Sequence, residues 1–163
     1  LARRPMHTVY RIFKTKHRTS WADGEGAFRF GGRWNSPGTR ILYTASSLAL
    51  ATLELFVHLN SEALLNAYSF ASVTFDEPAV ERVEKFAGLP SNWDVFPPPE
   101  DTQRIGDEWV ASGSGLVLSV PSAVLPVERN YLINVGHPDL SKVALAAPER
   151  LVIDKRLVEK LSR

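Results

Sequence analysis

The sequence predicts an α+β fold, and three observations lead there. Its β-forming stretches vary in length, few helical stretches interrupt them, and the two kinds do not alternate in the strict order of a parallel α/β sheet. At 163 residues the chain is expected to form one domain, residues 1–163, large enough to bury about two-thirds of its unfolded surface without metals or disulfides.

In chain order, Val9-Tyr10-Arg11-Ile12-Phe13 reads as a short strand, with Arg11 on the same face as Val9 and Phe13 by the two-residue period. An arginine so placed either meets an anionic partner or snorkels to solvent at a sheet edge. The basic run Lys14, Lys16, His17 and Arg18 reads as a solvated loop. Residues 24–39 hold five glycines and are expected to be tight, loop-like backbone, with Pro37-Gly38 suited to a type II turn. This segment presents Arg33, a residue type suited to two-pronged binding of phosphate or carboxylate, beside Trp34 as a stacking wall.

Ile41-Leu42-Tyr43-Thr44-Ala45 is a second strand, leading into a helix over Ser46–Leu59 with Ser46 or Ser47 as its N-cap. That helix is apolar on nearly every side and so predicts burial all round. Inside it sits one carboxylate, Glu54, which requires a cationic partner, a wet cleft or a raised pKa. A structural ion pair and a functional acid both remain open. His58, four residues on, shares a face with Glu54, but without the spacing of a zinc site no metal is expected.

Tyr68–Phe75 alternates as a strand and closes in the turn Asp76-Glu77-Pro78. Val80–Glu100 gives a poor signal, and Phe96-Pro97-Pro98-Pro99 reads as a loop before a helix starting at Asp101 or Thr102. Gly113-Ser114-Gly115 stops that helix. Leu116–Val120 is a buried strand, Asn130–Asn134 follows Pro121-Ser122, His137-Pro138-Asp139 is a turn, and Leu151–Asp154 reads as a last strand. No internal repeat appears.

The composition is that of a globular protein, and a net charge of +1 gives no reason to expect direct nucleic-acid binding. The chain has no cysteine, hence no disulfide framework and no thiol nucleophile. No apolar run reaches the length of a membrane span, so the expectation is a cytoplasmic protein that does not engage membrane.

Familiar catalytic motifs are missing. There is no phosphate loop, Gly113-Ser114-Gly115 is too short for a nucleophile elbow, and the first half of the chain offers a single plausible buried acid where glycosidase chemistry wants two. One acid, two arginines and aromatic neighbours instead suit a substrate carrying phosphates and an aromatic ring. Cleavage of such a substrate would create an oxocarbenium-like centre that one carboxylate can stabilise. NAD cleaved at its nicotinamide bond has all these features.

Tyr10-Arg11-Ile12, Gly31-Gly32-Arg33-Trp34-Asn35 with Pro37-Gly38, Leu42-Tyr43-Thr44-Ala45, Ala51-Thr52-Leu53-Glu54 with Val57-His58-Leu59, and Val120-Pro121-Ser122-Ala123 with Asn130-Tyr131-Leu132-Ile133-Asn134 and His137-Pro138 together resemble the RES domain, in order, over about residues 9–139. The segment from about Val80 to Ser112 has no counterpart and is expected to be variable. The resemblance implies an ADP-ribosyltransferase-like fold of the diphtheria-toxin type, with a mixed central sheet. It implies the toxin of a bacterial type II toxin–antitoxin pair that depletes NAD by hydrolysis or phosphorolysis, with an Xre-like helix-turn-helix antitoxin as partner. Some relatives instead ADP-ribosylate a protein.

Carried onto this sequence, the family's arginine, glutamate and serine fall on Arg33, Glu54 and Ser122. Arg33, with Arg11 behind it, is expected to hold the pyrophosphate or adjacent ribose, Tyr43 to stack on nicotinamide, Asn130 to join the NAD site, and Ser122 to orient Glu54 or the nicotinamide amide. No cofactor is implied beyond NAD as substrate, with inorganic phosphate a candidate co-substrate.

Overall fold

The protein, seen in a computed structural model that describes residues 2–59 and 67–161, is α+β. Its elements are β1 (Met6–Lys14), α1 (Glu25–Phe30), β2 (Leu42–Ala45), α2 (Leu48–His58), β3 (Tyr68–Asp76), β4 (Val80–Arg82), α3 (Val83–Phe86), α4 (Glu100–Ser112), β5 (Val117–Pro121), β6 (Arg129–Ile133), β7 (Ala144–Leu145), β8 (Glu149–Arg150) and α5 (Lys155–Leu161). The strands form one sheet in the order β4-β5-β6-β2-β1-β3-β7, with β8 also on β3. Only the β4–β5 pair is parallel among the described strands, so the sheet is mixed.

Strand alternation divides the core into two. In β5, Val117 points to one cluster while Leu118 and Val120 point to the other; in β6, Ile133 and Leu132 divide the same way. The first face gathers Val9, Phe13, Leu42, Val73 and Phe75 with Trp21, whose ring stacks on Phe13. The second face is covered by α4, through Ile105 and Trp109, and by Trp34. β5 is buried along its whole length, which is why Leu116–Val120 reads as a nearly continuous apolar run.

Several details follow the sequence closely. Ser47 caps α2 by accepting a bond from the Leu50 N–H (3.0 Å). Gly113 ends α4 in the left-handed region at φ 62°. Gly38 takes the positive φ of the Pro37-Gly38 turn, closed by Thr39 N–H donating to the Ser36 carbonyl. The basic residues are exposed as expected, though they span the last residue of β1, Lys14, and a single helical turn, Thr15–His17, rather than a plain loop.

Other expectations are corrected. The glycine-rich segment is not all loop: it contains α1, a helix of six residues. It is too short to stand on propensity alone and is tied from outside, by Asp23 on the Glu25 N–H and by Arg40 on the Glu25 carboxylate, to which Arg29 adds an i,i+4 pair within the helix. Leu151–Asp154 is not a strand. The pairing falls just before it, at β8, and the chain then turns into α5. Val80–Glu100 hides a strand and a helical turn, β4 and α3, each too short to show a period. The helix expected from Asp101 or Thr102 begins at Glu100. Among the described residues no helix is long and apolar enough to cross a membrane.

Candidate active site

The site begins where the sheet fails to close. β2 pairs with β6 through four registered residues but with β1 only at Ala45 and Tyr10. Ser46 N–H donates to the Arg129 carbonyl, so even-numbered residues of β2 aim their backbone at β6 and odd-numbered ones at β1. The Tyr43 carbonyl therefore faces a strand that has diverged, and the Arg11 guanidinium fills the gap, Nη1 donating to it at 3.0 Å. Arg11 Nε is buried with no partner, and burial holds the guanidinium pKa below its ordinary value against the opposing charge of Asp23. The expected parity with Val9 and Phe13 holds along β1, but the head group turns into the seam.

α2 lies over this opening and is not buried all round. Leu50 is its buried residue, while Leu53 is exposed and Val57, also exposed, borders the cleft. Apolar composition announced a helix but not how many of its faces would be covered. Glu54 lies on its inner side, with Ala51, Leu55 and His58 also facing the opening.

The Glu54 carboxylate is held by one oxygen. Oε1 accepts from Ser122 Oγ at 2.8 Å and from Asn130 Nδ2 at 2.6 Å, while Oε2 has no partner among the described residues. Ser122 is fully buried, and its Oγ also accepts from the N–H groups of Val124 and Leu125 (3.1 and 3.2 Å). Those two donors fix the hydroxyl so that its proton points at Glu54. Asn130 comes from β6, where it registers with Ala45, and its Oδ1 is buried and unpartnered. No cation within salt-bridge distance neutralises Glu54 among the described residues, so the structural ion pair is not how this acid is accommodated. A wet cleft and two neutral donors accommodate it.

Arg33 arrives from the opposite wall. Its Nη1 donates to the carbonyls of Trp93 (2.8 Å) and Val95 (2.7 Å), which leaves Nε and Nη2 for the cleft. Burial lowers its pKa, opposed by the charges of Asp94 and then Glu54. Asn35, wholly buried, staples the backbone that carries it: Nδ2 donates to the carbonyls of Ala27, Ser36 and Thr39, and Oδ1 accepts from Tyr43 Oη at 2.6 Å. The Trp34 N–H donates to the same Tyr43 oxygen (3.1 Å), and burial pushes the phenol pKa upward. Gly32 is required here, because a Cβ would lie 2.7 Å from Tyr43 Oη.

Trp34 is not the stacking wall expected. It is buried in the second core face against α4, where a Cβ on Gly106 would strike its carbonyl at 1.6 Å. Trp34 still borders the larger compartment, but the exposed aromatic beside Arg33 is Phe96, 78% exposed. It comes from the stretch of poor signal, in the segment read only as a loop before a helix. An isolated Phe before three prolines was the one available hint, since a folded core had no use for it.

The cleft has two compartments. The smaller, about 230 Å³, is bordered by Tyr10, Thr44, Ala45 and Leu55; the larger, about 500 Å³, by Arg33, Asp94, Phe96 and Pro98. Arg11, Tyr43, Glu54, His58 and Asn130 border both. Glu54 thus stands at their junction. The structure brings together all six residues singled out from sequence, with Ser122 acting from behind Glu54. Among the described residues no group of three or more His, Asp or Glu side chains is placed to hold a metal.

Comparisons with known proteins give the family and the fold. The RES domain model matches residues 8–154. The chain is 39% identical to the "Prs ADP-ribosylating toxin" of Sphingobium sp., over 95% of this chain and 99% of that one. It is 34% identical to "Toxin Res" of Yersinia enterocolitica, over 91% and 98%. The toxin–antitoxin complex MbcT-MbcA of M. tuberculosis contains a chain of the same fold, with a TM-score of 0.75 at 21% identity, covering 98% of this chain and 90% of that one. With a family model spanning nearly all of its length and full-length relatives above 30% identity, the chain belongs to the RES domain family.

Proposed function

We propose that this chain is the toxin of a toxin–antitoxin pair and that it cleaves NAD at the bond between nicotinamide and ribose. The observation that carries the reading is Glu54: a carboxylate fixed through Oε1 by two neutral donors, its Oε2 free, at the junction of two compartments with Arg33 in one of them. As the bond from ribose C1′ to the nicotinamide nitrogen breaks, its electron pair goes to that nitrogen and neutralises the pyridinium. Positive charge then builds on the ribose, and the free Glu54 oxygen stabilises it directly or through a ribose hydroxyl. Arg33 Nε and Nη2 bind the pyrophosphate, with Arg11 adding positive charge at the seam. Tyr43, its hydroxyl engaged, offers its ring to nicotinamide. Water or inorganic phosphate then forms the new bond to C1′, giving ADP-ribose or its 1-phosphate; attacking water gives up a proton to solvent.

Transfer to a protein is the second reading, supported by the name of the Sphingobium relative. Both readings share the bond broken and differ in the acceptor. α2 runs unbroken from Leu48 to His58, so Glu54 sits on helix rather than on a target-recognition loop, which favours a small acceptor. An Xre-like antitoxin is the proposed protein partner. The exposed side chains Val57 and Phe96 at the cleft suit a partner that covers the site.

The test is nicotinamide release from NAD by the purified protein, with and without phosphate, beside Glu54→Gln. We expect release by the parent and a loss of about 10²–10³-fold in kcat, with KM little changed, in the variant. Dependence on phosphate identifies phosphorolysis. Label appearing on an added protein, with no free ADP-ribose, would move the assignment to the second reading.

A further inference from the structure

Phe96 is an aromatic side chain that the fold does not bury and yet holds in place. It is 78% exposed and lines the larger compartment together with Arg33, Asp94 and Pro98. The loop that carries it is pinned on both sides of Asp94, because Arg33 Nη1 binds the carbonyls of Trp93 and Val95. A second tie comes from the Val95 N–H on the Asn92 carbonyl, and three prolines follow directly, limiting the backbone freedom of the next residues. An exposed phenyl ring on a fastened loop, facing a cleft, has little role in stability and a clear one in binding a flat ring.

We propose that Phe96 is a specificity-determining residue that stacks on the adenine ring of the dinucleotide. The proposal rests on the NAD reading above and adds which end of the substrate lies where. Glu54 borders both compartments, so the scissile bond lies at their junction. Arg33 borders only the larger one, which assigns the pyrophosphate, and everything beyond it, to that side. The ring beyond the pyrophosphate is adenine, and Phe96 is the exposed aromatic on that wall, Trp34 being buried and Tyr43 shared with the smaller compartment. Arg33 then does two jobs with separate atoms: Nη1 sets the loop, while Nε and Nη2 meet the phosphates.

The experiment compares parent and Phe96→Ala by calorimetric titration with ADP-ribose, AMP and nicotinamide mononucleotide, alongside NAD turnover. Loss of one base stack weakens ADP-ribose and AMP roughly ten-fold, leaves nicotinamide mononucleotide within about two-fold, and raises KM for NAD more than it lowers kcat. Phe96→Trp restores the affinity. Equal weakening of all three ligands, or no weakening of AMP, overturns the proposal, as does failure of the parent to bind adenine nucleotides at all. Adenine nucleotides bound through Phe96 by a parent that releases no nicotinamide would leave the stacking intact and sink the NAD-cleavage reading instead.

Discussion

Strand β2 has two edges that end differently. Toward β6 it is closed: Leu42, Tyr43, Thr44 and Ala45 register with Ile133, Leu132, Tyr131 and Asn130, and Leu42 and Ile133 are buried in the first core face. Toward β1 it is open after a single registered pair, and a cationic side chain does what a neighbouring strand's N–H would otherwise do. The closed edge is explained entirely by hydrogen bonding and apolar burial. The open edge is not, since a guanidinium with a buried, unpartnered Nε and one neutral acceptor is a costly way to satisfy one carbonyl. Such a residue is explained by what it meets when the cleft is occupied, and the difference between the edges marks the site before any chemistry is invoked.

Substitutions on the two edges should therefore change stability in opposite directions. On the closed edge, Ile133→Ala removes a wholly buried side chain packed between β2 and β5, and we expect a loss of about 2–5 kcal/mol in urea denaturation. Its folded fraction should keep the parent's KM for NAD. On the open edge, Arg11→Met keeps an unbranched apolar stem while removing the buried charge. The Tyr43 carbonyl can turn to water in the cleft, so we expect stability to rise by about 1 kcal/mol. The KM for NAD should rise roughly ten-fold, as a charge-assisted contact is lost. Should Arg11→Met lose stability as Ile133→Ala does and keep its KM, Arg11 would be a structural plug and the contrast would collapse.

How much of this was legible beforehand divides along the same line. The strands with full registers, β3, β5 and β6, and the capped helices α2 and α4 announce themselves by period, caps and stops, because burial of regular faces is written in the local pattern. Glu54 was visible as an acid in an apolar helix. Its accommodation by Ser122 and Asn130, 68 and 76 residues away, was not, since long-range hydrogen bonds leave no local period. The resemblance supplied Ser122 where physics alone could not. Trp34 was given the role of an exposed wall and Phe96 none, for one reason: nothing local tells whether an aromatic beside a loop faces the core or the cleft. Gly106, which lets α4 close on Trp34, lies 72 residues from it and carries that information only in three dimensions.

The comparison sharpens further between two strand arginines. Arg129, on β6, is saturated: Nε donates to Ser119 Oγ, Nη2 to the Ser119 carbonyl, and Nη1 and Nη2 grip the Glu84 carboxylate at 2.7 and 3.0 Å. Arg11 has one bond and no such grip. Hydrogen bonding by Arg129 holds the Glu84 pKa below its ordinary 4.5. A carboxyl whose folded pKa is depressed contributes stability that is fully present above the unfolded value and is lost as pH falls through the folded one. The stability gap between the parent and Glu84→Gln should thus be widest at neutral pH and narrow as pH falls below 4.5. The Glu84 side chain is more than one-third exposed, so solvent and salt screen the pair and the effect is the smallest of those expected here. Urea midpoints of the two proteins across the acid range, at low and high salt, measure it. A gap that ignores pH would mean that Arg129 is held by Ser119 and packing alone, and that saturation by an acid is not what distinguishes the arginine of the closed region from the one left waiting in the open seam.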